Sequence, residues 1–109
     1  MTSDRWRRTE ALYHAALDAS SGFPAALLGL GTIMADKGEM EIAERYFARG
    51  AKERPDLAVF RVRQADALVS LGKGEQARPI LKEIVLKWPD SEEAETARKL
   101  MSRTALAGP

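Results

Sequence analysis

The stretch PAALLGLGTIMADKGEMEIAERYFARGAKERPD, Pro24 to Asp56, is followed almost at once by AVFRVRQADALVSLGKGEQARPILKEIVLKWPD, Ala58 to Asp90. Laid over one another, Gly38 meets Gly72, Ala43 meets Ala77, Phe47 meets Leu81 and Pro55-Asp56 meets Pro89-Asp90. Each pair is 34 residues apart, with no gap. A fixed period of this length marks a repeated supersecondary unit, because such a unit buries its apolar face only by stacking on its neighbours. One period back from Phe47 lies Tyr13, and one period back from Gly50 lies Ala16. The N-terminal stretch therefore reads as the second half of a unit whose first half does not precede it in this sequence.

Within each unit the apolar spacing is helical. Leu27, Leu30 and Met34, then Ala43 and Phe47, recur at the three- and four-residue intervals that line one helix face. Gly38 and Gly72 stand just past the first helix of each unit, where glycine closes a helix by adopting a left-handed conformation. Pro55 and Pro89 end the second helices, since the residue before a proline is driven out of helical space. These signals predict six antiparallel helices at about 4–19, 24–37, 40–53, 58–71, 74–88 and 91–104. Pro79 predicts a helix that starts late, near Arg78, or bends there.

Leu27-x2-Leu30-Gly31-x2-Met34, Ala43-x3-Phe47 and Pro55 resemble the tetratricopeptide repeat, and Ala65, Leu68, Gly72, Ala77, Leu81 and Pro89 repeat much of that pattern. Arg61 and Gln64 depart from it, standing where the family prefers apolar residues, so helix 58–71 is expected to sit shallower. The resemblance implies an all-α fold of helix-turn-helix repeats stacked as a short right-handed superhelical solenoid. One domain, 1–109, would then hold a half repeat (4–23), two repeats (24–57 and 58–91), a capping helix (92–104) and a tail (105–109). Close packing between its helices needs small residues, for which Gly31, Ala65, Ala43 and Ala77 are the candidates. Asp90 or Ser91 is the expected N-cap of the last helix, with Glu92 and Glu93 in its first turn. Arg98, Lys99 and Ser102 make that helix a solvating cap and not a third binding unit.

The 109 residues carry 17 basic and 16 acidic side chains, 30% charged against 45% hydrophobic, which describes a globular chain with a formal charge of +1. So small a charge does not advertise nucleic acid as a partner, although Arg5, Arg7 and Arg8 flank Trp6. The absence of cysteine removes disulfides, thiolate metal sites and a cysteine nucleophile, and leaves the compartment open. MTSDRWRRTE lacks the apolar run of a signal peptide and no membrane span is evident, so the expected location is cytoplasmic. His14, the single histidine, has no triad partners and reads as a surface residue. Glu39/Glu41 and Glu92/Glu93 read as complements to helix dipoles, not as catalytic carboxylates. Gly72-Lys73-Gly74 lacks the ending of a phosphate loop. No enzyme, metal site or cofactor is expected.

The expected function is surface recognition. The first helices of a stacked array line a concave face, here predicted to carry Ala25, Leu28, Thr32, Ala35, Val59, Val62, Asp66 and Val69. The lysine and asparagine clamp with which chaperone-binding family members grip a carboxylate is absent, because Leu28, Thr32, Val62 and Asp66 occupy its places. The groove is expected to hold an apolar peptide or partner helix, with Leu28, Val62 and Val69 as anchors and Thr32 and Asp66 as orienting groups. The alternative is self-association, as a homo-oligomer, through an open N-terminal edge formed by Trp6, Leu12 and Tyr13.

Overall fold

A computed structural model describes residues 2–19 and 23–107, with side chains described over 7–16 and 23–104. Its elements are α1 (Thr2–Ala19), α2 (Pro24–Asp36), α3 (Met40–Glu53), α4 (Ala58–Ser70), α5 (Gly74–Lys87) and α6 (Glu92–Ala107). First helices of 13 residues alternate with second helices of 14, and turns of three residues alternate with turns of four. Together these lengths make up the 34-residue period. Each helix packs on the next in sequence, and α6 also touches α4. The result is an elongated stack, 41 × 30 × 20 Å, of the helical-solenoid type. The last helix runs past the expected boundary at 104, to Ala107.

The turns inside the repeats are built on the two predicted glycines. Gly38 and Gly72 have φ of 84° and 76°. In the first turn, Gly38 N–H donates to the Ala35 carbonyl at 3.0 Å and Glu39 N–H to that of Met34 at 2.8 Å. The second repeats this with Gly72 on Val69 and Lys73 on Leu68, at the same two distances. Each set is a Schellman closure, in which carbonyls left over at the helix end find donors. The turns between repeats end on proline: α3 stops at Glu53 and α5 at Lys87, one residue before Arg54-Pro55 and Trp88-Pro89. In the first of these, Arg54 grips both oxygens of Asp56, at 2.9 and 2.8 Å. That hydrogen bond holds the exposed carboxyl below its usual range. At the second, Ser91 caps α6, its Oγ accepting from Ala94 N–H at 3.0 Å and donating to the Trp88 carbonyl at 2.6 Å. The Trp88 ring, half-buried, packs on the core beside α5 and α6.

Small residues admit large ones between the helices. Gly31, Ala43, Ala65 and Ala77 are all buried, as their spacing predicts. The Phe47 ring lies over Gly31 and the Phe60 ring over Gly50, so closely that a Cβ on either glycine would overlap the ring. Leu27, Ala43, Phe47, Ala51, Phe60 and Ala67 form one core cluster. A second runs from Val62 and Leu68 through Leu81 and Ile84 to Ala97 and Leu100. Its far end is tied down by Thr104, the buried polar residue of α6, whose backbone carbonyl accepts from Arg78 and whose methyl group lies against Gly74.

Two local expectations are corrected. Of the two outcomes expected at Pro79, the late start is overturned: helix α5 begins at Gly74, where the predicted span 74–88 begins, so Pro79 sits inside it. The proline removes the bond that residue 79 would give to the Glu75 carbonyl. Both residues are exposed, so water reaches the freed oxygen, while Ala77, Leu81 and Ile84 hold the other face in the core. Nor is α4 shallow: it buries Ala58, Phe60, Val62, Ala65, Ala67 and Leu68. Arg61 and Gln64 are drawn inward with it. Gln64 Nε2 donates to Glu44 at 3.1 Å and Arg61 meets Glu83 at 3.5 Å, yet Arg61 Nε and Gln64 Oε1 remain buried with no hydrogen-bond partner.

Two stability experiments follow from these contacts. Gly38→Ala and Gly72→Ala are each expected to cost about 1–2 kcal/mol, the penalty for an L-residue in left-handed backbone, read from the midpoint of a denaturation curve. One period earlier, Arg61 and Gln64 correspond to Leu27 and Leu30, both fully buried. Arg61→Leu with Gln64→Leu removes two orphaned polar groups worth about 1–3 kcal/mol each, and is expected to raise the melting temperature.

Candidate functional site

The predicted concave-face residues lie on the first helices, and the structure separates them into two groups. Val59, Val62 and Asp66 of α4 come together in an open recess of about 290 Å³, completed by Arg63 and by Glu92, Glu93 and Thr96 of α6. The spacing of Val59, Val62 and Asp66, three and then four residues, keeps them on one edge of α4. Leu28, Thr32 and Ala35 of α2 are half-buried and do not line this recess. Val69 is also outside it, packed on the cluster that runs into α6. Val59 is the link between the groups, since it lines the recess and packs on the same cluster as Leu28 and Ala35.

Not every predicted contact residue is free to serve. Val62 is only 7% exposed and belongs to the core, so it offers an edge to the recess and no protruding anchor. The Thr32 hydroxyl donates to the Leu28 carbonyl of its own helix at 2.8 Å, leaving its oxygen as an acceptor only. Asp66 is exposed. Among the described residues neither it nor Glu92 or Glu93 takes part in an ion pair or side-chain hydrogen bond. Three carboxylates against the single guanidinium of Arg63 leave the recess negative around two valines.

Arg63, Glu92, Glu93 and Thr96 were not among the sequence candidates, although the period points to two of them. Advancing Val59 and Val62 by 34 residues gives Glu93 and Thr96. Helix α6 therefore has two roles. Its outer face carries the exposed Glu95, Arg98, Lys99 and Ser102 of a solvating cap, while its first two turns complete the recess. The register breaks beyond that, because the next step from Asp66 reaches Leu100, a core residue.

At the other end, Leu12 of α1 is 69% exposed. Its counterparts one and two periods on, Tyr46 and Ile80, are half-buried against the two core clusters. Tyr13 does not share that edge, for its ring lies over Gly29 of α2. A salt bridge from Glu10 to Lys37 adds a second tie between α1 and the end of α2. The Trp6 side chain lies outside the described residues. His14 is exposed. Among the described residues no group of three or more potential metal ligands occurs, and no helix is long and apolar enough to cross a membrane. Comparison with protein-family models, curated proteins and solved structures found no match.

The two adjacent residues of α1 should separate cleanly. Tyr13→Ala is expected to cost about 2 kcal/mol, somewhat less than deletion of a fully buried aromatic. Leu12→Ser is expected to change stability by no more than about 0.5 kcal/mol, as at other exposed sites. Urea denaturation of the two variants measures the difference.

Proposed function

We propose that this chain is a non-catalytic protein-interaction module of tetratricopeptide type, whose concave face holds an apolar segment of a partner protein. The observation that carries this is the recess between α4 and α6, where Val59, Val62 and Asp66 meet residues of the next first helix. A stack of this kind presents its first helices side by side, so a bound segment crosses several of them and gathers contacts from each. The half-buried Leu28 and Val59 are the anchors best placed to lose water on binding, since each has surface left to bury. Asp66 and the carboxylates of α6 orient the occupant.

Panning random twelve-residue peptides against the whole chain tests this. Enriched peptides are expected to be apolar, and to lose at least tenfold in affinity on Leu28→Glu or Val59→Glu while the helical circular dichroism of the protein is kept. Val62 is unsuitable as a probe, because a charge there would be placed in the core. Peptides whose binding ignores both substitutions would reject the concave face.

A further inference from the structure

We infer that the occupant of the α4–α6 recess is helix α1 of a second copy of this chain, so that copies join head to tail. Two surfaces of the same molecule, neither of them partnered among the described residues, carry matching chemistry. The recess has an apolar floor, Val59 and the edge of Val62, under the carboxylates of Asp66, Glu92 and Glu93, which outnumber the one guanidinium in its lining, that of Arg63. Helix α1 exposes Arg8, Ala11, Leu12 and Ala15. Their spacing of three, four and seven residues places them on a single helical face. Arg7 is exposed beside them, and neither arginine forms an ion pair with another described residue.

The dimensions agree as well. Arg8 lies seven residue steps from Ala15 on α1, and Val59 seven steps from Asp66 on α4, so each surface is about 10 Å long at the α-helical rise. Small alanines flanking Leu12 let the helix approach the recess closely, and Leu12 then covers the valines while Arg7 and Arg8 face the carboxylates. The polar outer face of α6 is a poor rival site. Arg98 and Lys99 stand there, and would repel the same arginines. Because donor and acceptor surfaces are different parts of one molecule, the contact is heterologous, and copies add on in an open chain or a closed ring. The concave face serves here as the binding surface, so the assembly stands only if that assignment stands.

Sedimentation equilibrium of the full chain tests the assembly. The weight-average mass of wild type is expected to rise above the 12.0 kDa of one chain between low and high micromolar concentration. It should fall back as salt screens the charges. Arg7→Glu/Arg8→Glu and Asp66→Lys/Glu92→Lys alter exposed residues only, and each is expected to remain monomeric with unchanged circular dichroism. An equimolar mixture of the two is expected to regain the higher mass, since each reversed surface then finds its complement. A wild type that stays monomeric throughout would overturn the inference, as would association that survives in either charge-reversed variant or a mixture that stays monomeric. If panned peptides still bind the concave face of a monomeric wild type, only the second copy is rejected as occupant. If they do not, the concave face falls with it.

Discussion

From α1 to α4 the stack depends on one steric arrangement, a large ring set over a glycine between successive helices. Tyr13 lies over Gly29, Phe47 over Gly31 and Phe60 over Gly50. Each contact brings a ring of one helix against the backbone of its neighbour, which fixes how closely the two approach. Packing of this density leaves little freedom, because a misplaced methylene either opens a void or forces a side chain out of its rotamer. The rings Tyr13 and Phe47 stand one 34-residue period apart, whereas the glycines beneath them do not, so the period repeats the helices and their turns and not each contact. Helices of 13 and 14 residues joined by turns of three and four make up that period. The Schellman turns at Gly38 and Gly72 reverse the chain inside the repeats, and the prolines end the second helices before it turns between them.

Polar residues enter the stack at α4, and their treatment shows how strongly the apolar contacts dominate. Six buried residues hold that helix against both neighbours. Arg61 and Gln64 are carried inward with them and find Glu83 and Glu44, on α5 and α3, on either side. The pairing is incomplete, since one buried atom of each remains without a partner. Apolar burial spread over a whole helix outweighs two imperfect polar sites. The same balance operates in α5, where one missing backbone bond at Pro79 is tolerated because the buried face continues on either side of it.

The surfaces left for function follow from the same geometry. Side-by-side first helices create the recess, and the first turn of α6 makes it acidic. Glu92 and Glu93 suit the positive end of the α6 dipole, and so are favourable for the helix whatever the recess holds. Asp66 has no such local reason, being exposed in the middle of α4. At the opposite end, α1 keeps Tyr13 for packing and turns Leu12 outward, so the chain carries an apolar and basic helix face at one end and an acidic hollow at the other.

The sequence by itself determined the helices, their order and their turns, because those rest on local causes. Glycine alone accepts the left-handed turn, proline disfavours helix in the residue before it, and apolar residues at three- and four-residue spacing can share a face only in a helix. It also determined which positions on α4 share an edge, so Val59, Val62 and Asp66 were recognisable together. Tertiary structure decided what that edge faces. The period linked Val59 and Val62 to Glu93 and Thr96, but only the packing of α6 on α4 turned four positions into one hollow. The same packing decided the fate of single residues: Val62 is sunk into the core to all but an edge, Tyr13 is turned onto Gly29, and Arg61 and Gln64 are drawn partly inward. Spacing along a helix gives direction around its axis. It does not give the depth to which neighbouring helices bury each direction, which depends on contacts between residues distant in the chain.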